Sequence, residues 1–244
     1  MGIGAKLSAA YRRHRHIARL ILMMVVWAVF MAITRFDKFY TLINFQTMAS
    51  QFPEFGLMSL GIMVCMITGG IDLSTVGVAN LVSICTATLM KAVATEENEI
   101  AVYVIPLCFV IAILMGAAAG AFNGFLVSRV RIPPILATLG TSELFTGIGI
   151  VITDGKAVSK LPRMYSSAIN SKIFGLIPTQ LVFFAVMALV IWFLLMRTTY
   201  GTKIYMIGTS SKAAVFSGIR TNLLLVKTYM ISGICAALGG MVML

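Results

Sequence analysis

Two acids stand where acids are costly. Asp72 lies in TGGIDLSTVG, residues 68–77, and Glu143 lies in TLGTSELFTG, residues 138–147; both stretches are set among long apolar runs. A carboxylate facing hydrocarbon costs about 3 kcal/mol on insertion scales, so each acid needs a cavity or a partner. The chemistry open to such a group is to hold a proton or cation, to accept hydrogen bonds along a polar route, or to pin the backbone. Gly69 and Gly70 permit backbone angles closed to other residues and close approach of another helix, and Ser74 or Thr75 can satisfy backbone groups freed at a helix break. Two readings of this stretch stay open: a broken helix lining a cavity, or a short turn in which Asp72 caps the helix that follows. Glu143 is flanked by Thr138, Thr141, Ser142 and Thr146, and its readings are a functional group or a hydrogen-bonded glutamate at a helix interface. Asn80 and Asn123 place further polar groups in neighbouring apolar stretches.

Other reactive residue types carry no pattern. Cys65, Cys85, Cys108 and Cys235 lie singly in apolar stretches without paired or metal-like spacing, as free thiols acting as small hydrophobes do. His14 and His16 sit in a basic N-terminal run, where a solvated or headgroup-facing role is the simpler reading. With no triad, phosphate-cradling glycine loop or ligand cluster, the sequence predicts neither an enzyme nor a bound metal or cofactor.

The elements that position these residues are membrane helices. Of 244 residues 59% are hydrophobic and only 11% charged, with a mean hydropathy of +0.98, far from the balance of a soluble domain. The basic N-terminus leads into an apolar segment without a cleavage signal and is read as retained. A span needs about 20 apolar residues, and the sequence predicts an all-α polytopic bundle with about seven segments: Ile17 to Thr34, Phe55 to Thr68, Leu73 to Val93, Ile100 to Val127, Ile135 to Thr153, Leu181 to Met196 and Thr228 to Leu244. The second is short for a full span.

Threading these segments from a cytoplasmic N-terminus places Lys6, Arg12, Arg13, Arg15, Arg19, Arg129, Arg131, Arg197, Lys203, Lys212, Arg220 and Lys227 on one side, twelve of the nineteen basic residues. The other side receives Asp37, Glu54, Glu96, Glu97, Glu99 and Asp154, six of the eight acids. The Lys/Arg bias orients the chain with its N-terminus inside. The net charge of +11 is thereby assigned to loops facing anionic lipid, not to nucleic acid.

Gly116, Gly120 and Gly124 recur at four-residue intervals and predict a face where helix backbones meet. In the connection from Arg197 to Lys227, Ser210 or Ser211 can cap a short helix over Lys212 to Ser217, with Ala213, Ala214 and Phe216 as apolar contacts and Gly218 as its stop. Such a helix suits docking to a protein partner; a basic amphipathic segment lying on lipid is the alternative.

TGGIDLS, then NGFLVSRVRIPPILATLGT from Asn123 to Thr141, then TTYGTKIYMIGTSSKAAVFSGIRTNLLLVKTYMISGICAALGG, in that order, resemble the landmarks of bacterial ABC-importer permeases of the ribose/simple-sugar type. The resemblance runs from about Thr68 to the C-terminus. It implies a single transmembrane permease domain over residues 1–244 in the bacterial inner membrane, and a second permease subunit, homo- or heterodimeric. It also implies an ATP-binding subunit that carries the ATP and an extracytoplasmic solute-binding protein. Residues 197–227, with Lys212, Ala213, Ala214, Phe216 and Gly218, match the segment that contacts the ATPase.

The implied activity is import of a monosaccharide-like solute by alternating access, with Asp72, Asn80, Asn123 and Glu143 as pathway groups. Nucleoside and quorum-signal permeases are variants of this class. From the residues alone, an ion-coupled secondary transporter using Asp72 or Glu143 stays open. The chain departs from the usual pattern at Thr75, which is extra in GGIDLSTVG, and at Lys212, where relatives commonly carry glutamate. Relatives also continue for about three more spans, so the chain resembles a C-terminally incomplete permease.

Overall fold

The computed structural model describes residues 15–93, 101–158, 161–173 and 175–244. His14, Glu96, Glu97 and Glu99 lie outside them, as does the side chain of His16. The described residues fall into two compact units, one up to Met48 and the other from Ala49 on.

The first unit holds α1, Arg15–Phe39, and the start of α2, Leu42–Ile67. The helical path of α1 breaks locally at Arg35 (φ −147°, ψ 44°). The turn into α2 is closed by Thr41, whose Oγ1 accepts from the Asn44 N–H at 3.2 Å, while Asn44 Nδ2 donates to the Phe39 carbonyl at 2.9 Å. α2 runs for 26 residues, longer than the segment predicted from Phe55. Asn44, Gln46, Gln51, Pro53 and Glu54 all fall in the stretch ahead of that segment. The helix passes through Pro53 all the same, and that residue is buried.

The second unit is an all-α bundle. Its spans are the rest of α2, then α3 (Thr75–Val93), α4 (Ala101–Phe125, continued by a π-turn at Leu126–Val130), α5 (Pro134–Thr153), α7 (Thr179–Arg197) and α10 (Thr221–Met243). Between α5 and α7 lie a short helix α6 (Arg163–Ile169) and a two-residue hairpin, β1 (Lys172–Ile173) against β2 (Ile177–Pro178). Between α7 and α10 lie α8 (Thr199–Thr209) and α9 (Ser211–Phe216). Among the described residues, seven helices are long and apolar enough to cross a membrane, as the sequence predicted. α10 begins at Thr221, earlier than expected, so Lys227 belongs to a span and not to the connecting loop.

α10 is the central element. It packs along α4 and α3, and α3 also packs on α5. The glycine face explains the closeness of the first pair. A Cβ on Gly116 would meet the Gly233 carbonyl, one on Gly120 the Tyr229 carbonyl, and one on Gly124 the Val226 Cα at 2.6 Å. Without side chains at these positions the two backbones touch directly. The largest cluster of buried apolar residues joins Val78, Val82 and Met90 of α3 to Cys108 and Ala112 of α4, Phe145 of α5, and Ala236, Ala237 and Met241 of α10. A second joins Val64 of α2 to Ile191 and Leu195 of α7, Ile204 of α8 and Cys235 of α10. All four cysteines are free, three of them buried.

Candidate functional site: the Asp72 turn and the α8–α9 shelf

Residues 68–74 are a turn between two spans in which Gly70, Asp72 and Ser74 are buried, and each predicted landmark has a mechanical reason. Gly69 takes φ 83°, the left-handed conformation that stops α2, with its N–H on the Met66 carbonyl at 3.0 Å. Gly70 sits where a Cβ would lie 2.6 Å from the Tyr229 hydroxyl oxygen. Asp72 is 1% exposed and folds onto the start of α3: its Oδ1 accepts from the Ser74 N–H at 3.0 Å and from the Ser74 hydroxyl at 2.6 Å. The Ser74 carbonyl then receives the Val78 N–H at 2.9 Å, opening the helix. Of the two readings of TGGIDLS, the geometry matches the turn, with Asp72 fastening the residue that starts α3.

Distant residues complete the turn. Asn123 Nδ2, near the end of α4, donates to Ser74 Oγ at 2.6 Å. Thr138 of α5 accepts the Leu73 N–H on its hydroxyl at 3.1 Å and donates to the Pro134 carbonyl at 2.8 Å. Tyr229 and Cys65 lie within electrostatic reach of Asp72. Asp72 Oδ2, Asn123 Oδ1, Ser128 Oγ, Tyr229 Oη and Ser232 Oγ are buried, polar and without a hydrogen-bond partner among the described residues. Ser74 as a partner of Asp72 is an Asx-turn spacing that a sequence can show. Thr138 and Tyr229 carry no such signal.

The four residues implied as pathway groups therefore divide. Asp72 and Asn123 meet through Ser74. Asn80 is half-buried on α3, and no side-chain hydrogen bond joins it to that group. Glu143 lies midway along α5 on its exposed side, with Leu136, Leu139, Leu144 and Val151, while Thr138, Thr141 and Phe145 turn inward. Gly140 and Gly147 flank Glu143 on the same side, and the space over both is open.

The shelf at α8 and α9 is built from local signals. Thr198 opens α8 and Ser210 opens α9, the latter accepting the Ala213 N–H on its hydroxyl at 3.2 Å. Gly218 stops α9 at φ 76°. Cap, helix and stop match the expectation; the eleven-residue α8 ahead of them is new, and it buries Gly201, Ile204 and Ile207 on one side. One expectation is reversed: Ala214 is 1% exposed and packs inside this chain, so it offers no outward apolar contact. Phe216 is 92% exposed, and Lys212, Ala213 and Gly218 are exposed beside it. α8 is seated firmly. Tyr200 Oη and Thr228 Oγ1 are 2.8 Å apart, and a Cβ on Gly208 would strike the Ile67 carbonyl, so α8 backs directly onto the beginning of the Asp72 turn. Burial pushes the Tyr200 phenol up to about 12.

Residues 44–244 match the model of the family described as branched-chain amino acid transport system / permease component. The chain belongs to this permease family. Similar permeases include the D-allose transport system permease protein AlsC of Escherichia coli (strain K12), 30% identical over 221 residues, which are 91% of this chain and 65% of AlsC. The autoinducer 2 import system permease protein LsrC of Yersinia enterocolitica is 30% identical over 90% of this chain and 59% of its own. LsrC of Yersinia pestis (strain Pestoides F) is 29% identical over 95% of this chain and 62% of its own. The chain thus spans about three-fifths of the length of the permeases it matches. No solved structure matches it. The resemblance to simple-sugar-type permeases is borne out, and the chain is a multi-pass membrane protein.

Proposed function

We propose that the chain is the permease part of an ATP-driven importer for a monosaccharide-like solute. In this reading it works with an ATP-binding subunit, an extracytoplasmic solute-binding protein and a second permease subunit, with its N-terminus in the cytoplasm. The observation that carries the reading is Phe216, an aromatic ring almost wholly exposed at the end of a capped helix outside the spans. A ring of that size offers 150–250 Å2 of apolar area, as anchors of protein interfaces do. The names of the D-allose and autoinducer 2 permeases support a small polar solute over a branched-chain amino acid.

The mechanism follows from what the shelf touches. ATP-driven closure of the partner subunits would push on α9, and α8 would carry the movement to Ile67 and the Asp72 turn. The hydrogen-bonded turn acts as a rigid joint between α2, α3, α4 and α5, so the spans would tilt together. Glu143, a carboxylate midway along an open helix side, belongs on this reading to a water-filled route and not to lipid. ATP drives the cycle only because the two conformations bind nucleotide with different affinity.

The test is uptake by proteoliposomes holding the full-length protein, its ATP-binding subunit and its binding protein, with pentoses, hexoses and nucleosides as candidate solutes. ATP-dependent uptake of a sugar, lost in Phe216→Asp together with co-purification of the ATP-binding subunit, is the expected result. Uptake driven by an imposed ion gradient without ATP, and abolished by Glu143→Gln, would replace this reading with a secondary transporter.

A further inference from the structure

The cytoplasm-proposed end of the bundle carries a cleft that borders the α9 shelf through Val215 and that the docking role of Phe216 does not use. Arg129 and Arg131, at the end of α4 and its π-turn, line it together with Arg220, Thr221 and Asn222 at the start of α10. Its volume is about 660 Å3. Among the described residues no carboxylate lines it, so its three arginines have no counter-charge from that lining. Arg131 takes a left-handed backbone conformation (φ 63°, ψ 32°) as the chain leaves the π-turn, an unfavourable choice for a residue other than glycine. The 23-residue α10 opens on the same cleft with no side chain capping its first turn, which adds unpaired N–H groups and the positive end of a helix dipole.

We propose that this cleft binds the phosphate of an anionic phospholipid headgroup. Planar guanidinium groups pair with phosphate oxygens in a bidentate way, and helix N-termini add backbone donors to the same ligand. The position selects lipid over free phosphate. One span ends at Val130 and another begins at Thr221, so the arginines stand at the boundary between hydrocarbon and water, where headgroup phosphates lie. Val130 and Leu223, at the ends of the two spans, are each about half exposed beside the cationic groups, an apolar flank that acyl chains cover and a free ion does not. Basic pockets between membrane helices hold anionic headgroups by this combination.

The experiment is native mass spectrometry of the delipidated full-length protein titrated with phosphatidylglycerol, with phosphatidylcholine of the same chains, and with inorganic phosphate. Phosphatidylglycerol is expected to bind at least about tenfold more tightly than phosphatidylcholine, and each of Arg129→Gln, Arg131→Gln and Arg220→Gln to weaken it about fivefold. Lys203→Gln, an exposed cation on α8, leaves binding unchanged. All three arginines are exposed, so the variants keep the parent's elution profile and melting temperature, and that control separates lost binding from lost folding. Equal affinity for the two lipids, or a phosphatidylglycerol preference that persists in the triple variant, overturns the proposal. Inorganic phosphate binding as tightly as phosphatidylglycerol overturns the lipid assignment in favour of a free-anion site. Loss of the ATP-binding subunit from the triple variant with lipid affinity intact makes the cleft a protein contact and equally overturns it.

Discussion

Asn123 Nδ2 donates to Ser74 Oγ at 2.6 Å, joining the end of α4 to the residue that opens α3. Because Ser74 simultaneously donates to Asp72 Oδ1, one hydroxyl links a distant helix to the buried carboxylate of the turn. Three residues act as one unit, and removing any of them leaves buried polar groups without partners.

Asp72→Asn retains a carbonyl oxygen able to accept from Ser74 and is expected to lower stability by less than about 1 kcal/mol. Asp72→Leu strands the Ser74 N–H and hydroxyl, at a cost of about 1–3 kcal/mol for each buried group left unsatisfied. Thermal unfolding in detergent, followed by loss of the monodisperse elution peak, should rank the variants parent, Asn, Leu. An Asp72→Leu protein as stable as the parent would show that the turn does not need its carboxylate.

Gly120→Ala places a methyl group against the Tyr229 backbone and should destabilise by about 1–3 kcal/mol through overpacking. Gly140→Ala, on an open helix side, should be neutral or slightly stabilising, since alanine is the better helix former. The same unfolding assay checks both. Equal loss in the two variants would mean that helix propensity, not backbone contact between α4 and α10, sets the outcome.

Ala214→Asp and Phe216→Asp should separate folding from docking. Ala214 is buried, so a carboxylate there should lower the yield of folded protein. Phe216 is exposed, and its aspartate should leave folding intact while reducing association with the ATP-binding subunit. If Phe216→Asp instead unfolds the protein, the ring has a structural role within this chain.

The proposed orientation is checked by cysteine labelling in intact cells. Lys156→Cys, just after α5, should react with an impermeant maleimide, and Lys203→Cys on α8 should react only after lysis. The reverse pattern would turn the topology over.

Alkaline stability should depend on Tyr200. Its folded-state pKa is raised from 10.0 to about 12, so the stabilising contribution is complete below the unfolded value and is lost as pH rises through the folded one. Tyr200→Phe lacks an ionisable group and should show a shallower fall in melting temperature between those two pH values. An unchanged slope would exclude Tyr200 as a source of alkaline destabilisation.

What the sequence determined by itself is what local physics governs. Runs of apolar residues long enough to span a membrane specify helices whatever surrounds them, and six of the seven spans were legible to within several residues of their ends. Ser210 and Gly218 announced the bounds of α9 because a cap and a left-handed stop act on the nearest backbone groups. The stripe Gly116, Gly120 and Gly124 announced a close contact, though not its partner on α10. Only the tertiary structure decided the rest. α2 continues through Pro53 because burial outweighs a single missing N–H, and no local rule weighs burial. A six-residue helix has too few turns to show which side faces in, so packing alone separated Ala214 from Phe216. Asp72 and Glu143 looked alike as acids among apolar residues. The fold enclosed one within hydrogen bonds from Ser74 and left the other on an open helix side, because a carboxylate's role is set by the groups brought to it from distant parts of the chain.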